Sequence, residues 1–304
     1  MCSEIGGRHK RPARFTAHLP PHLPMSQLKF DLHCHSNVSD GLLPPEEVAA
    51  RAKANGVDVW ALTDHDEVSG VMRARAAAEA LGLRHVGGVE ISVTWCGQTI
   101  HIVGLRVDET DSVLVAGLAA TRNGRERRAR EISGELEKIG ISGAYEGALK
   151  HVGNPDLISR THFARHMVEC GHCGDTKEVF ANYLTEGKPG YVPHRWATLE
   201  EAVRWIRGAG GVAVIAHPGR YKYTQTQFGA LFDEFKQLGG AAIEVTTGSH
   251  SPEQYEEYAQ VARSYGFLAS MGSDFHGPGE SRIDLGGLPP LPAGLKPVWH
   301  DWEF

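Results

Sequence analysis

One recurring pattern limits the fold of this chain more than any other feature. A short apolar run ends in a polar residue able to bind a metal, and a helical stretch follows. "LKFDLHCH" ends in His33 and His35, "GVDVWALTDHD" in Asp64, His65 and Asp66, and "LRHVGGVEIS" in Glu90. "QTIHIVGL" carries His101, "GGVAVIAHPG" ends in His217, "AAIEVTTGSH" runs into Thr246, Thr247 and Ser249, and "GFLASMGSDFHG" ends in Asp274 and His276. These seven strand-like runs alternate with helical stretches near 44–55, 69–81, 198–209, 226–238 and 252–265. Thr198 with Glu201, and Ser251 with Pro252 and Gln254, read as helix starts of the capping-box kind. Alternation of this kind predicts parallel strands. Parallel strands present function at their carboxyl ends, where all these candidates except His101 fall.

Other segments break the pattern. Residues 108–195 read as helices without strands, which predicts an inserted small helical domain over the mouth of a barrel built from 26–107 and 196–295. The Pro- and Gly-rich end "LGGLPPLPAGLKPVW" predicts a surface wrap. Residues 1–25 are rich in Pro, His, Arg and Gly and lack a signal-peptide core; they read as a disordered leader, with Met25 a candidate original initiator. No run approaches the ~20 apolar residues of a membrane helix. Five cysteines, an odd number, suit reduced thiols in a cytoplasm. Cys170 and Cys173 form a lone C-x-x-C, which without a second pair does not make a zinc or redox site. The net charge of -6 argues against a general nucleic-acid coat.

In "FDLHCHSNVSDG" the side chains alternate, so His33 and His35 share a face and Cys34 points away. Asp40 follows in the same small-residue loop. With His65, Glu90, His101, His217, Asp274 and His276 they make six histidines and three carboxylates. Imidazole with carboxylate suits manganese, zinc or iron. The set is too large for one ion and sufficient for two or three if a carboxylate bridges. Paired metals about 3.5–4 Å apart suit phosphate-ester hydrolysis. Such ions would leave the pocket positive within a mildly acidic protein, a place for a phosphate dianion.

"DLHCHSNVSDG", "ALTDHD", "GVEIS", "HIVGL", "AHPGRY" and "GSDFHGPGE" resemble, in order, the motifs of the PHP (polymerase and histidinol phosphatase) family, over about residues 28–292. The resemblance implies a distorted seven-stranded (β/α) barrel carrying two or three divalent ions, manganese first among them, with zinc, iron and magnesium as alternatives. It implies one metal on His33, His35, Glu90 and Asp274, a second on Glu90, His101 and His217, and a third on Asp40, His65 and His276. A bridging water held at Glu90 would be the nucleophile, with Asp64 and Asp66 orienting ligand histidines from behind.

"ISRTHFAR", "GKPGYVP" and "AHPGRY", with the helical insertion, resemble one branch of small PHP phosphoesterases. Its members remove the 3'-phosphate of nucleoside 3',5'-bisphosphates, and related ones trim short RNA from its 5' end. The implied partner is a nucleotide or short oligonucleotide, with no membrane and no obligate protein partner. Arg160 and His162 at a helix start, Lys188 in a Gly/Pro-bounded loop, and Arg220 after His217 are the candidate substrate contacts. Arg122, Arg125, Arg127, Arg128 and Arg130 read either as a solvated helix face or as a track for RNA phosphates. His85, His151, His166, His172 and His250 take no role. The alternatives are a histidinol-phosphatase-like phosphomonoesterase and, from another class, a non-catalytic PHP accessory module. The complete ligand set and the lack of a polymerase extension speak against the latter.

Overall fold

In the computed structural model, which describes residues 27–303, seven strands lie in chain order around one sheet. They are β1 (Phe30–Asp31), β2 (Val59–Leu62), β3 (Arg84–Trp95), β4 (Gln98–Leu105), β5 (Val212–Ile215), β6 (Ala242–Thr247) and β7 (Leu268–Gly272). The backbone N–H of Leu32 bonds to the Met271 carbonyl (3.1 Å) and Cys34 bridges Phe275, so β7 returns to β1 and the sheet nearly closes. Closure depends on Gly272, where a Cβ would lie 2.3 Å from that of His33. The leader expected over residues 1–25 lies outside the described residues.

One expectation about direction is corrected. β1–β2–β3 and β5–β6–β7 are parallel, but β4 is antiparallel to both neighbours. Its link to β3 is Cys96–Gly97, both at positive φ (46° and 77°), between the paired Trp95 and Gln98. A two-residue turn with positive φ at both positions matches the twist of a hairpin and leaves no room for a crossover helix. β4 therefore brings His101 to the barrel mouth from its amino-terminal half.

Inward positions repeat every second residue. Phe30, Leu32, Val59, Ala61, Val86 and Val103 fill the lower barrel. The same alternation then places Glu90 above Val86, His101 above Val103 and Glu244 above Ala242. Trp299 and Trp302 close the barrel from below, with Trp299 stacked on Phe30 at 4.0 Å. The carboxyl end thus plugs the barrel where a surface wrap was expected. Four apolar side chains, from Leu295 to Trp302, outweigh the local Pro and Gly content.

The outer helices are α1 (Pro45–Ala54), α2 (Val71–Ala80), α8 (Leu199–Gly208), α9 (Gln225–Gln237) and α10 (Pro252–Tyr265). Both expected capping boxes form, at Thr198 with Glu201 and at Ser251 with Gln254. Between β4 and β5 run α3 (Ser112–Arg122), α4 (Arg125–Glu137), α5 (Ala144–Leu149), α6 (Arg160–Glu169) and α7 (Thr176–Val179). Leu114 and Leu118 of α3 join the barrel's outer core. A separate apolar cluster begins at Ala129 and runs through Phe163, Met167 and Leu184 to Val192. We propose that the small helical unit starts at α4, with α3 belonging to the barrel. Among the described residues no helix is long and apolar enough to cross a membrane.

Candidate metal centre and its basic rim

The loops after the strands, with Glu90 inside β3 and His101 inside β4, bring the ligand candidates to one point. His33 Nε2, His35 Nε2, Glu90 Oε2 and Asp274 Oδ1 stand 3.2–3.6 Å apart in the pairs that contact. Ligands about 2.1 Å from a shared tetrahedral ion are separated by about 3.4 Å, so the spacing fits. The other oxygen of Glu90, Oε1, lies 2.9 Å from His217 Nε2 and 3.0 Å from His101 Nδ1. One carboxylate thus faces two nitrogen sets. A third set joins Asp40 Oδ1 to His276 Nε2 (3.4 Å) and His65 Nε2 (3.8 Å). His65 Nδ1 also lies 2.9 Å from Glu90 Oε2. All nine candidates converge.

The chemistry of the set favours cations. Asp40 Oδ1 and Glu90 Oε2 are buried acceptors that face imidazole nitrogens without a well-aligned hydrogen bond, an arrangement that suits an ion. Burial, then the imidazoles of His276 and His65, pushes His35 down to about 3, and burial with Arg220 does the same to His217. Both rings are therefore neutral, with lone pairs to offer. Burial would lower His65, but Glu90 and Asp40 outweigh it and raise the ring to about 9. Burial would raise Glu90, yet His101, His65 and His33 hold it well below the usual carboxylate range. Protons on imidazole occupy the place where metal charge belongs.

Buried groups outside the ligand set hold it in position. His33 donates from Nδ1 to Glu244 Oε1 (2.8 Å), and the His217 backbone N–H donates to Glu244 Oε2 (2.6 Å). One carboxylate so fixes a ring and a ligand loop. Sequence reasoning missed Glu244; its only signal was an acid inside an apolar strand. His250, given no role, accepts the Gly219 N–H (2.9 Å) and shapes the loop carrying Arg220.

Asp64 and Asp66 do something other than expected. Asp64 accepts from Ser36 N (2.8 Å), Ser36 Oγ (2.7 Å) and Ser39 Oγ (2.6 Å), bracing the loop that presents Asp40. Asp66 accepts from Ser92 N (2.7 Å) and Ser92 Oγ (2.9 Å) and pairs with Arg125. Neither carboxylate bonds to a ligand imidazole. They flank His65 where the chain turns after β2, with Asp66 at a positive φ of 51°, and each carboxylate is taken up by serines and, for Asp66, by Arg125.

The helical unit supplies a second kind of surface. A cavity of about 120 Å³ beside His65, His101 and His276 is lined by Arg125, Arg128, Arg160 and Arg220. Arg128 spends its Nε on the Val192 carbonyl and packs on Trp196; Arg160 donates to the Leu184 carbonyl. Neither has a carboxylate partner among the described residues. Burial, then Arg160 and Arg125, pulls Arg128 down to about 9. Arg125 and Arg220 are paired with Asp66 and Asp274, and the two guanidiniums left without a carboxylate make a place for an anion. The arginine run therefore splits. Arg125 and Arg128 turn inward, Arg122 bonds the Asp66 carbonyl, and Arg127 and Arg130 are exposed beside Glu131 and Glu126. A continuous external track is not what forms.

Two candidate substrate contacts are placed elsewhere. His162 is buried and accepts the Ser159 N–H at Nδ1 (3.0 Å), closing the cap of α6. Burial lowers it to about 4 despite Asp40, so it is neutral. Lys188 is exposed and lines neither cavity at the site. Helix α6 is instead fastened to a ligand. Thr161 Oγ1 donates to Asp40 Oδ2 (2.9 Å), and Arg165 donates to the Asp40 carbonyl (2.6 Å) and to Glu280. A wider opening of about 500 Å³ adjoins the first, sharing Thr161, Phe180, Arg220 and His276 with it.

A nearly closed seven-stranded barrel whose mouth gathers imidazoles around a shared carboxylate defines a class, the barrel hydrolases that work through divalent ions. The chain belongs to the PHP family, whose domain model matches residues 31–248. It is 50% identical over 273 residues to a 3',5'-nucleoside bisphosphate phosphatase of Chromobacterium violaceum, covering 90% of this chain and 96% of that one. It is 42% identical to the 5'-3' exoribonuclease Rnm of Salmonella typhimurium, covering 90% and 94%. Among solved structures it is similar to a Chromobacterium violaceum protein described as an amidohydrolase with bound sulfate, at 49% identity and TM-score 0.88, covering 90% and 95%. It is also similar to a metal-dependent phosphoesterase of Bifidobacterium adolescentis, at 27% identity and TM-score 0.76, covering 90% and 93%.

Proposed function

We propose that this PHP-family hydrolase is a metal-dependent phosphoesterase that removes the 3'-phosphate of nucleoside 3',5'-bisphosphates. The observation that carries the reading is the cavity lined by four arginines against the ligand cluster, two of which, Arg128 and Arg160, have no carboxylate partner among the described residues. Ions at the ligand cluster account for one phosphate. Fixed cations beside them are best explained by a second phosphate on the same substrate. The 50%-identical bisphosphate phosphatase supports it.

His33, His35, Glu90 and Asp274 would hold one divalent ion, Glu90, His101 and His217 a second, and Asp40, His65 and His276 a third. The imidazole and carboxylate set suits manganese, with zinc, iron or magnesium as alternatives. Bound there, such ions supply charge to the phosphoryl oxygens and water activated at neutral pH. Arg220, 3.2 Å from Asp274 Oδ2, orients the scissile phosphate at the edge of the cluster. Arg128 and Arg160 hold the remote phosphate, and Trp196 keeps Arg125 and Arg128 in place from behind. Four free cysteines among the described residues suit a reducing cytoplasm.

A second reading is trimming of short RNA from its 5' end, as in the exoribonuclease relative. The 500 Å³ opening, lined by Lys177, Arg220 and Arg282, favours it by leaving room for a longer chain. A phosphate-release screen over a bisphosphate, its monophosphate, histidinol phosphate and a 5'-phosphorylated oligonucleotide separates the readings. A charge-assisted contact contributes roughly 1.5–3 kcal/mol, so the bisphosphate should exceed the monophosphate about ten- to hundredfold in kcat/KM. Equal rates would overturn the proposal and return histidinol phosphate to first place.

A further inference from the structure

The two cavities at the site meet at one apolar aromatic side chain, Phe180, which lines both of them. The narrow cavity, about 120 Å³, holds Arg128 and Arg160. It has room for a phosphate but not for a nucleoside as well, since a drug-sized ligand fills roughly 300–1,000 Å³. A nucleoside with its 3'-phosphate at the ligand cluster and its 5'-phosphate among those arginines is left the wider opening, about 500 Å³, for its base. The polar groups of that opening are largely engaged. Glu280 is held by Arg165 (2.8 Å), Ser281 Oγ accepts the His276 N–H (2.7 Å) and Ser249 Oγ donates to Asp274 Oδ2 (3.0 Å). Besides the candidate ligand His276, Phe180 is the one aromatic ring that lines it. Trp196, in the narrow cavity, is buried, with Arg125 and Arg128 over its ring and His194 4.2 Å from it.

The backbone holds Phe180 there, partly exposed although apolar. After Val179, helix α7 widens into a single π-turn (Phe180–Leu184), and the Thr185 N–H and hydroxyl close on the Phe180 carbonyl (3.1 and 3.0 Å). Such turns recur at functional sites. Leu184, at the other end of the same turn, gives its carbonyl to Arg160 (3.0 Å), whose guanidinium lies 5.7 Å from the Phe180 ring centroid. One turn thus sets both the ring and the arginine of the remote phosphate. We infer that Phe180 is the platform on which the base of the substrate stacks, a specificity-determining contact that selects nucleosides over base-free sugar phosphates. The inference rests on the proposed function, from which it takes the two phosphate positions. A ring face meets any base through its π-face, with no hydrogen-bond code, so the contact tolerates all bases and gains most from the larger purines.

Steady-state kinetics on the full chain test this with two substrates, adenosine 3',5'-bisphosphate and 1,4-anhydroribitol 3,5-bisphosphate, the same sugar without its base. In the parent the adenosine compound should exceed the base-free one about five- to hundredfold in kcat/KM, the range for one stacked base. Phe180 also packs against the core of the helical unit, so Phe180→Leu, which keeps apolar bulk and removes the π-face, is the first variant. It should lose most of the preference through KM, with kcat and the rate on the base-free compound as in the parent. Phe180→Trp should restore the preference. A purely structural role would slow both substrates alike. Equal kcat/KM on the two substrates in the parent, or a full preference surviving in Phe180→Leu, would overturn the inference. Should the bisphosphate prove no better than the monophosphate, the proposed function fails by itself. The same pair of substrates as 3-monophosphates, with and without the base, then decides the role of Phe180 by the same two outcomes.

Discussion

The two walls of the active cavity are built on opposite principles. The barrel wall packs three carboxylates among six imidazoles and is short of positive charge. The helical wall packs arginines on Trp196 and Phe180 and is short of negative charge. On the proposed function the first would be completed by cations and the second by an anion, so the chain itself would hold together neither half of its final charge pattern. Catalytic power and substrate choice are therefore separable by mutation, at ligands in one wall and at guanidiniums in the other.

The largest effect should come from breaking the barrel wall at its shared member. Glu90→Gln should lower turnover on every phosphate ester roughly a thousandfold, about what 4 kcal/mol represents, with metal lost by elemental analysis. Full metal content with normal turnover would show that Glu90 does not bridge. Next, Glu244→Ala leaves His33 Nδ1 and the His217 N–H without their acceptor. It should weaken metal affinity about ten- to hundredfold, measured by competition with a chelating dye, while saturating metal restores the rate. On the helical wall, Arg128→Ala and Arg160→Ala should each lower kcat/KM for a bisphosphate by about tenfold or more and leave the monophosphate alone. A uniform loss on both substrates would merge the walls into one function.

Smaller effects sharpen the contrast. His65 is raised to about 9 without ions, so at pH 7 it carries a proton that a metal must displace. Calorimetry in buffers of different ionisation enthalpy should find protons released on metal binding, and apparent affinity falling as the pH is lowered. Binding with no proton release would contradict that assignment. Lys188→Ala, exposed and outside both cavities, should change kcat/KM by no more than about twofold, the scale of an ordinary surface substitution.

The two walls were not equally readable. Most barrel ligand candidates follow a strand beside small residues, so local order announced His33, His35 and Asp274, whereas Glu90 and His101 lie inside β3 and β4, which run on past the expected ends. The hairpin escaped because Cys96 stands where Asn or Asp would have marked a two-residue turn. Glu244 escaped because one acid in a strand is a weak sign until the inward alternation is known. Arg160 and Arg220 were named from their places at a helix start and after His217, but the run from Arg122 to Arg130 was visible only as composition. Which of Arg122 to Arg130 turn inward depends on where α4 packs, and nothing local encodes that. His162 shows the converse error, a polar residue at a helix start that serves the helix itself. At the carboxyl end, Trp299 and Trp302 carried the signal that proline and glycine obscured.

The bonds from Thr161 and Arg165 to Asp40 bear on traffic. A cover stitched to a ligand cannot swing aside between turnovers without loosening that ligand. A standing doorway of about 500 Å³ already opens beside the ligand cluster without such a movement. The protein works as a vestibule whose door stays open, and the length of guest it admits is set by masonry.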